Sequence, residues 1–293
     1  MFQLAGLFLV LVMVFGGFLL AGGSADVLMR AGPAEFAMIA GAGLGTLLIA
    51  NARDVALAAL AAPIRVVRGP VWTRQASGRL ASLLATLMTE ARRGGVRAIE
   101  ADIEAPERSE LFARVPELRK DTDTGALVCE LFRRTGLGPM TTGDAEALSG
   151  RRIEQVMADR SRAVVALERL ADALPALGIV AAVLGVIKSL AAVDQSTAVI
   201  GGMIASALVG TFLGVFLAYG IVGPLAARFG QIVEEDARAL AAVSEAFSVW
   251  LGGQAVRAAI ETGFSLLPTD LETLSSGDVI AFPAAAPGVR AVR

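Results

Sequence analysis

Residues 200–222 read IGGMIASALVGTFLGVFLAYGIV and contain no charged side chain. Because a helix needs about 20 apolar residues to cross roughly 30 Å of hydrocarbon, this stretch predicts a membrane span. The windows 3–22, 34–51 and 174–193 meet or nearly meet the same requirement. The sequence therefore predicts an all-α polytopic membrane protein with four transmembrane helices.

The composition agrees with this class and excludes several kinds of chemistry. Of 293 residues, 55% are apolar and only 18% are charged, below the roughly 25% charge of an ordinary soluble domain. The absence of histidine excludes imidazole catalysis and histidine-ligated metal sites. Cys129 is the only cysteine, and the net charge is −2. We therefore expect that the protein is not an enzyme, that it holds no metal or cofactor, and that it has no nucleic-acid partner.

The basic residues predict how the chain is oriented in the membrane. Of the 26 lysines and arginines, 19 lie in residues 52–173 and five in residues 225–293, which leaves only Arg30 and Lys188. Basic residues are enriched on the cytoplasmic side of membrane spans. We therefore expect both termini and the large middle segment to be cytoplasmic.

The segments outside the spans are predicted to be helical. Leucines and Met88 recur at helical spacing through residues 80–88, and Gly94-Gly95 supplies a stop signal. The expected order is spans 1 and 2 in 1–51, a helical cytoplasmic domain in 52–173, spans 3 and 4 in 174–224, a C-terminal helix in 225–267 and a loose tail in 268–293.

Small residues form ridges along three of the four spans, and in the second span these are Ala37, Gly41 and Gly45. Small residues let membrane helices approach closely. The ridges serve either packing within one subunit or contact with another chain, and their number favours an oligomer. The helix-packing residues predicted in the third and fourth spans are Gly178, Gly185, Gly202, Ser206, Gly210, Gly214 and Ala218.

An ion pathway usually contains an ionisable residue in the membrane interior. We place no such residue at mid-membrane, so either the chain conducts nothing or a partner helix supplies the acid. Thr211 has two interpretations: its hydroxyl bonds a carbonyl one turn earlier, or it faces another helix. Pro175 and Pro224 mark the predicted cytoplasmic ends of the third and fourth spans.

Two motifs, PALGIVAAVLGVIKSL at 175–190 and VGTFLGVFLAYGIVGPL at 209–225, resemble the ion-channel helices of the MotA family of flagellar motor stators. FGGFLLAGGS at 15–24, AGAGLGT at 40–46 and the stretch 92–104 resemble the same family in the same order. The resemblance covers roughly residues 1–265.

The resemblance implies a torque generator of the bacterial inner membrane, a ring of five copies around two MotB-family chains whose aspartate carries the ion. Ion passage would turn this ring and push the rotor. The positions matching the ion path and its gating helices are Pro175, Ala182, Thr211, Tyr219 and Pro224. Arg92 and Glu100 match the charges that engage the rotor switch protein FliG.

The same resemblance favours protons over sodium as the transported ion. Sodium requires several oxygen ligands, whereas the matching positions Ala182, Gly210 and Thr211 offer a single hydroxyl. The sequence departs from the family pattern at Arg151-Arg152 and at Lys188. One alternative is an ExbB- or TolQ-like energy transducer, although such subunits usually have one span before their first cytoplasmic domain rather than two. The other is a membrane scaffold that moves no ion.

Overall fold

The computed structural model describes residues 2–267, which are almost entirely helical, and this part of the chain contains no β-strand. The all-α prediction is confirmed. The predicted loose tail at 268–293 lies outside the described residues.

Four helices are long and apolar enough to cross a membrane, as the sequence predicted. The first span is Phe2–Leu20, and the second is the Leu28–Ala50 part of the helix Ala25–Ala50. The third and fourth spans belong to much longer helices, Thr142–Leu190 and Thr197–Leu251. The helix that precedes the third span continues into it without a break.

Shorter helices connect the second span to the helix Thr142–Leu190. The α-helices among them are Arg53–Arg68, Arg74–Gly94, Glu100–Glu104, Glu110–Ala113 and Thr122–Leu137, with 3-10 turns at Val96–Ile99 and Pro116–Arg119. The predicted stop at Gly94-Gly95 is confirmed, because Gly95 follows the helix with φ +73°, a backbone conformation that favours glycine.

The single C-terminal helix expected over 225–267 is wrong. The helix that carries the fourth span ends at Leu251, and a separate helix runs over Val256–Gly263. Gly253 lies between them with φ +90°, a conformation that a glycine adopts without steric cost and that ends the longer helix.

The chain divides into two compact units. The first unit joins residues up to Gly69 with Ala158–Val233 and contains all four spans. Its small core is formed by Ile39, Leu174, Ala181 and Ala218, one or more residues from each of the last three spans. The first span has no buried residue and packs on the fourth through Phe15, whose ring lies 5.9 Å from Phe212 and 5.4 Å from Phe216.

The second unit joins Pro70–Met157 with the described residues 234–267 and has the larger apolar core. Trp72 is buried in this core and donates a 2.6 Å hydrogen bond from Nε1 to Asp121. The Asp236 carboxylate accepts a 2.7 Å hydrogen bond from the Val71 backbone N–H. Cys129 is buried, as a small apolar residue would be, and burial raises the pKa of its thiol to about 11.

Candidate ion pathway

The third and fourth spans pack directly against each other through glycine. A Cβ added to Gly214 would lie 2.7 Å from the Leu174 carbonyl oxygen and 2.8 Å from Gly178 Cα. Farther along the pair, a Cβ on Gly185 would lie 2.7 Å from the Cβ of Ala207. Real side-chain carbons do not approach so closely, so the absence of side chains is what brings these two backbones together.

Not every predicted packing residue takes part in this contact. Gly178, Gly210, Gly214 and Ala218 are buried, and Gly185 and Ser206 are half-buried. Gly202 has open space beside it, as do Gly41 and Gly45 of the second span. A Cβ added at any of these three glycines would have no described atom within 4 Å. Their faces remain free for lipid or for another chain.

Thr211 is half-buried beside the glycine contact, and its hydroxyl makes no hydrogen bond to any described residue. Thr46 behaves differently, because its hydroxyl donates a 2.8 Å hydrogen bond to the carbonyl of Gly43 one turn earlier. The structure thus shows the intrahelical bond for Thr46 and not for Thr211. The Thr211 hydroxyl is left able to donate or accept a hydrogen bond.

The other predicted pathway residues belong to the same two helices. Pro175 and Ala182 are half-buried on the third span, whereas Tyr219 and Pro224 are exposed on the fourth. Neither proline begins a helix. Pro224 lies two residues after a wide π-helical turn at Leu217–Val222, which is the expected response of a helix to a residue that lacks an N–H and crowds the preceding turn.

Sequence reasoning missed one ionisable residue. Glu35 of the second span is only 5% exposed, and its Oε2 atom is buried without a hydrogen-bond partner among the described residues. A Cβ added to Gly210 would lie 2.8 Å from that oxygen. Gly210 is midway between Thr197 and Pro224, so the expectation that this chain places no ionisable group at mid-membrane is wrong.

The buried face of the second span accounts for the position of Glu35. The buried positions of the second span recur at every fourth residue, at Ala31, Glu35, Ile39, Gly43 and Leu47. Residues four apart share one face of a helix, so Glu35 lies on the face that packs inward. The average hydropathy of the span hides this single acid.

Arg92 and Glu100, the predicted rotor-facing charges, lie in the second unit and differ in their surroundings. Arg92 donates hydrogen bonds to the backbone carbonyls of Trp250 and Gln254, and its guanidinium lies 5.9 Å from the centre of the Trp250 ring. Glu100 is exposed and makes no hydrogen bond or ion pair with any described residue. Arg92 therefore has a packing role of its own, whereas the Glu100 carboxylate is free for contact.

The nearby charges form ion pairs at the surface. Arg133 donates a 2.6 Å hydrogen bond to Glu104, which lowers the pKa of that carboxyl. Of the two arginines that depart from the family pattern, Arg152 pairs with Asp123 at 3.4 Å. Lys188 is exposed near the C-terminal end of the helix Thr142–Leu190.

These features define a class, a multi-pass helical membrane protein whose last two spans meet through glycine around a free hydroxyl and a buried acid. Residues 4–95 match the family described as Motility protein A N-terminal, and residues 138–241 match the MotA/TolQ/ExbB proton channel family. The chain is 37% identical over 263 residues to Motility protein A of Escherichia coli (strain K12), covering 90% of this chain and 88% of that protein. The chain belongs to the motility protein A family.

Two further relatives are similar to this chain over most of its length. Motility protein A of Salmonella typhimurium is 35% identical over 293 residues, covering 100% of this chain and 96% of that protein. Chemotaxis protein LafT of Vibrio parahaemolyticus is 32% identical over 267 residues, covering 91% of this chain and 93% of that protein.

Two solved structures share the fold. The C. jejuni MotAB structure has a TM-score of 0.69 at 17% identity, covering 90% of this chain and 94% of that chain. The flagellar MotAB stator complex from Bacillus subtilis has a TM-score of 0.65 at 21% identity, covering 88% and 92% respectively.

Proposed function

We propose that this chain is the channel-forming stator subunit of a bacterial flagellar motor, which couples ion flow across the inner membrane to torque on the rotor. Family membership supports this function. The match over residues 4–95 covers two spans ahead of the helical segment, where an ExbB- or TolQ-like transducer usually has one. The activity is transport rather than catalysis.

The channel is completed by other chains. We propose a ring of five copies around two MotB-family chains, and the structural relatives titled MotAB complexes support a partner of that kind. The open faces beside Gly202, Gly41 and Gly45 give room for close approach of a neighbouring helix. In this assembly the termini and the segment between the second and third spans are cytoplasmic, as the basic residues indicate.

The free hydroxyl of Thr211 carries the proposal at the level of the site. A hydroxyl can donate to a carboxylate and accept from a carboxylic acid, so it can serve both protonation states of a partner's aspartate. The glycines beside it admit a partner helix. Thr211 would hold and orient that aspartate while the proton enters and leaves.

Protons are the proposed ion, because a sodium site needs several oxygen ligands and Thr211 offers one hydroxyl beside Ala182 and Gly210. At the cytoplasmic side, movement of the ring would push the rotor protein FliG electrostatically, with Glu100 as the accessible charge. Arg92 would stabilise this surface through its hydrogen bonds to backbone carbonyls and contribute its positive charge to the rotor contact.

The test uses Thr211→Val, which removes the hydroxyl and keeps the shape. We expect motor rotation at low load to fall several-fold, because the partner's acid loses a hydrogen bond worth about 0.5–1.5 kcal/mol. Thr46→Val is the matched control, because the Thr46 hydroxyl is already bonded within its own helix. An uncoupler that collapses the proton gradient, with an inward sodium gradient held, should stop the wild-type motor.

Equal rotation in the Thr211 and Thr46 variants would remove the proposed role of the hydroxyl. Rotation that continues on sodium alone would contradict the proton assignment.

A further inference from the structure

Among the described residues of the membrane spans, Glu35 is the one titratable group that the structure buries. Its carboxyl lies where three helices meet, because Glu35 comes from the second span, Gly210 from the fourth and Ala181 from the third. The position of an added Gly210 Cβ lies 2.8 Å from Glu35 Oε2 and 3.3 Å from the Ala181 Cβ. Gly210 thus leaves the space that this oxygen approaches, and the next residue is Thr211.

A purely structural carboxyl at this depth would be expected to have a hydrogen-bond donor. An ionised carboxylate in hydrocarbon is costly unless it is paired, and a buried polar group without a partner is costly as well. Glu35 Oε2 has no partner among the described residues. Binding of a proton would remove the buried charge, which is the larger of these two costs.

The charges that face Glu35 are few. Lys188 of the third span exerts an attractive electrostatic interaction on its carboxylate. The second span contributes no other ionisable residue between 31 and 50, and the only one in the fourth span between 195 and 227 is the exposed Tyr219. Within the described spans, Lys188 is therefore the cation that acts on Glu35.

We infer that Glu35 is a proton-exchanging carboxyl on this chain, the station from which a proton is passed toward the Thr211 region and the partner's acid. The inference rests on the proposed stator function. The Glu35 carboxylate takes a proton from water on the outer side and becomes a neutral acid. It then releases that proton inward to the partner's carboxylate and returns to the anion, so charge and protons balance.

The experiment compares Glu35→Gln with Glu35→Asp in the full complex with its MotB-family partner. Gln keeps the size and hydrogen-bonding groups but cannot exchange a proton at this site. Asp keeps the acid but shortens the side chain. The control is Asp26→Asn, which removes an acid from the same helix where it is exposed and paired with Arg30 at 2.8 Å. The measured quantity is proton influx, followed with a cytoplasmic pH-sensitive fluorescent protein.

We expect Glu35→Gln to lower influx at least about tenfold, on the scale of a lost proton-transfer group. Glu35→Asp should keep a larger share of the influx, with a shifted dependence on external pH, and Asp26→Asn should resemble the wild type. A packing role predicts the reverse order, with Gln tolerated and Asp impaired, and that order would overturn the inference.

Membrane levels and co-purification of the partner show whether each variant assembles. If Glu35→Gln does not assemble, the influx profile of Glu35→Asp decides, and a profile equal to wild type overturns the inference. A wild-type complex that passes no protons would refute the proposed function itself. A conducting wild type with an equally conducting Gln variant would refute only the role of Glu35.

Discussion

Replacing Gly214 by alanine tests the contact between the third and fourth spans most directly. The added Cβ would lie 2.7 Å from the Leu174 carbonyl oxygen, whereas ordinary contact begins at 3.4 Å, so the two helices must separate by about 0.7 Å. Both neighbours of this Cβ are backbone atoms, which cannot rotate away. Overpacking of this kind costs about 1–3 kcal/mol, or about 5-fold to 150-fold in the folding equilibrium.

The two helices supply a graded series and a control. Gly178→Ala brings its Cβ to 3.0 Å from backbone atoms of Gly210 and Gly214 and should cost less than Gly214→Ala. Gly202→Ala has nothing within 4 Å and should stay within about 0.5 kcal/mol of wild type. Thermal unfolding of the detergent-solubilised protein, followed by circular dichroism, measures the order. Equal stability of the Gly214 and Gly202 variants would refute the reasoning.

Two further predictions concern the second unit. Arg92→Ala should destabilise it by about 1–3 kcal/mol in chemical unfolding, because the carbonyls of Trp250 and Gln254 lose their donor. The exposed Arg97→Ala is the control, and a matching small loss in both would contradict an anchoring role for Arg92. Glu104→Gln should lower stability at neutral pH, because the pKa of Glu104 is held below 4.5 by Arg133. The difference from wild type should disappear as the pH falls through that lowered pKa, and a difference independent of pH would contradict the ion pair as its source.

The fold could be read from the sequence because membrane spans are set by length and hydropathy. The uncharged run at 200–222 needs no tertiary context to predict a span, and the predicted helices follow from local periodicity and from Gly95. The glycine spacing also predicted which faces of the third and fourth spans are small. It could not show that Gly202 stays open while Gly214 is in contact, since that depends on where the two helices cross.

The site could be predicted only in part, because its remaining features join distant parts of the chain. Glu35 becomes notable only when Gly210 is known to lie opposite it. The anchoring of Arg92 depends on carbonyl groups of Trp250 and Gln254, more than 150 residues away. Backbone carbonyls carry no sequence signature, so no motif around Arg92 distinguishes an anchor from a free surface charge.

The wide turn before Pro224 has a consequence for how this family can vary. A π-helical turn holds one residue more than an α-helical turn, so Leu217–Val222 behaves as a one-residue insertion in the fourth span. Elsewhere in the span, gaining or losing a residue would rotate everything beyond it by about 100°. Here the change is absorbed locally. Loss of the extra residue would bring the proline ring against the preceding turn, so the insertion and Pro224 are expected to be gained and lost together during divergence.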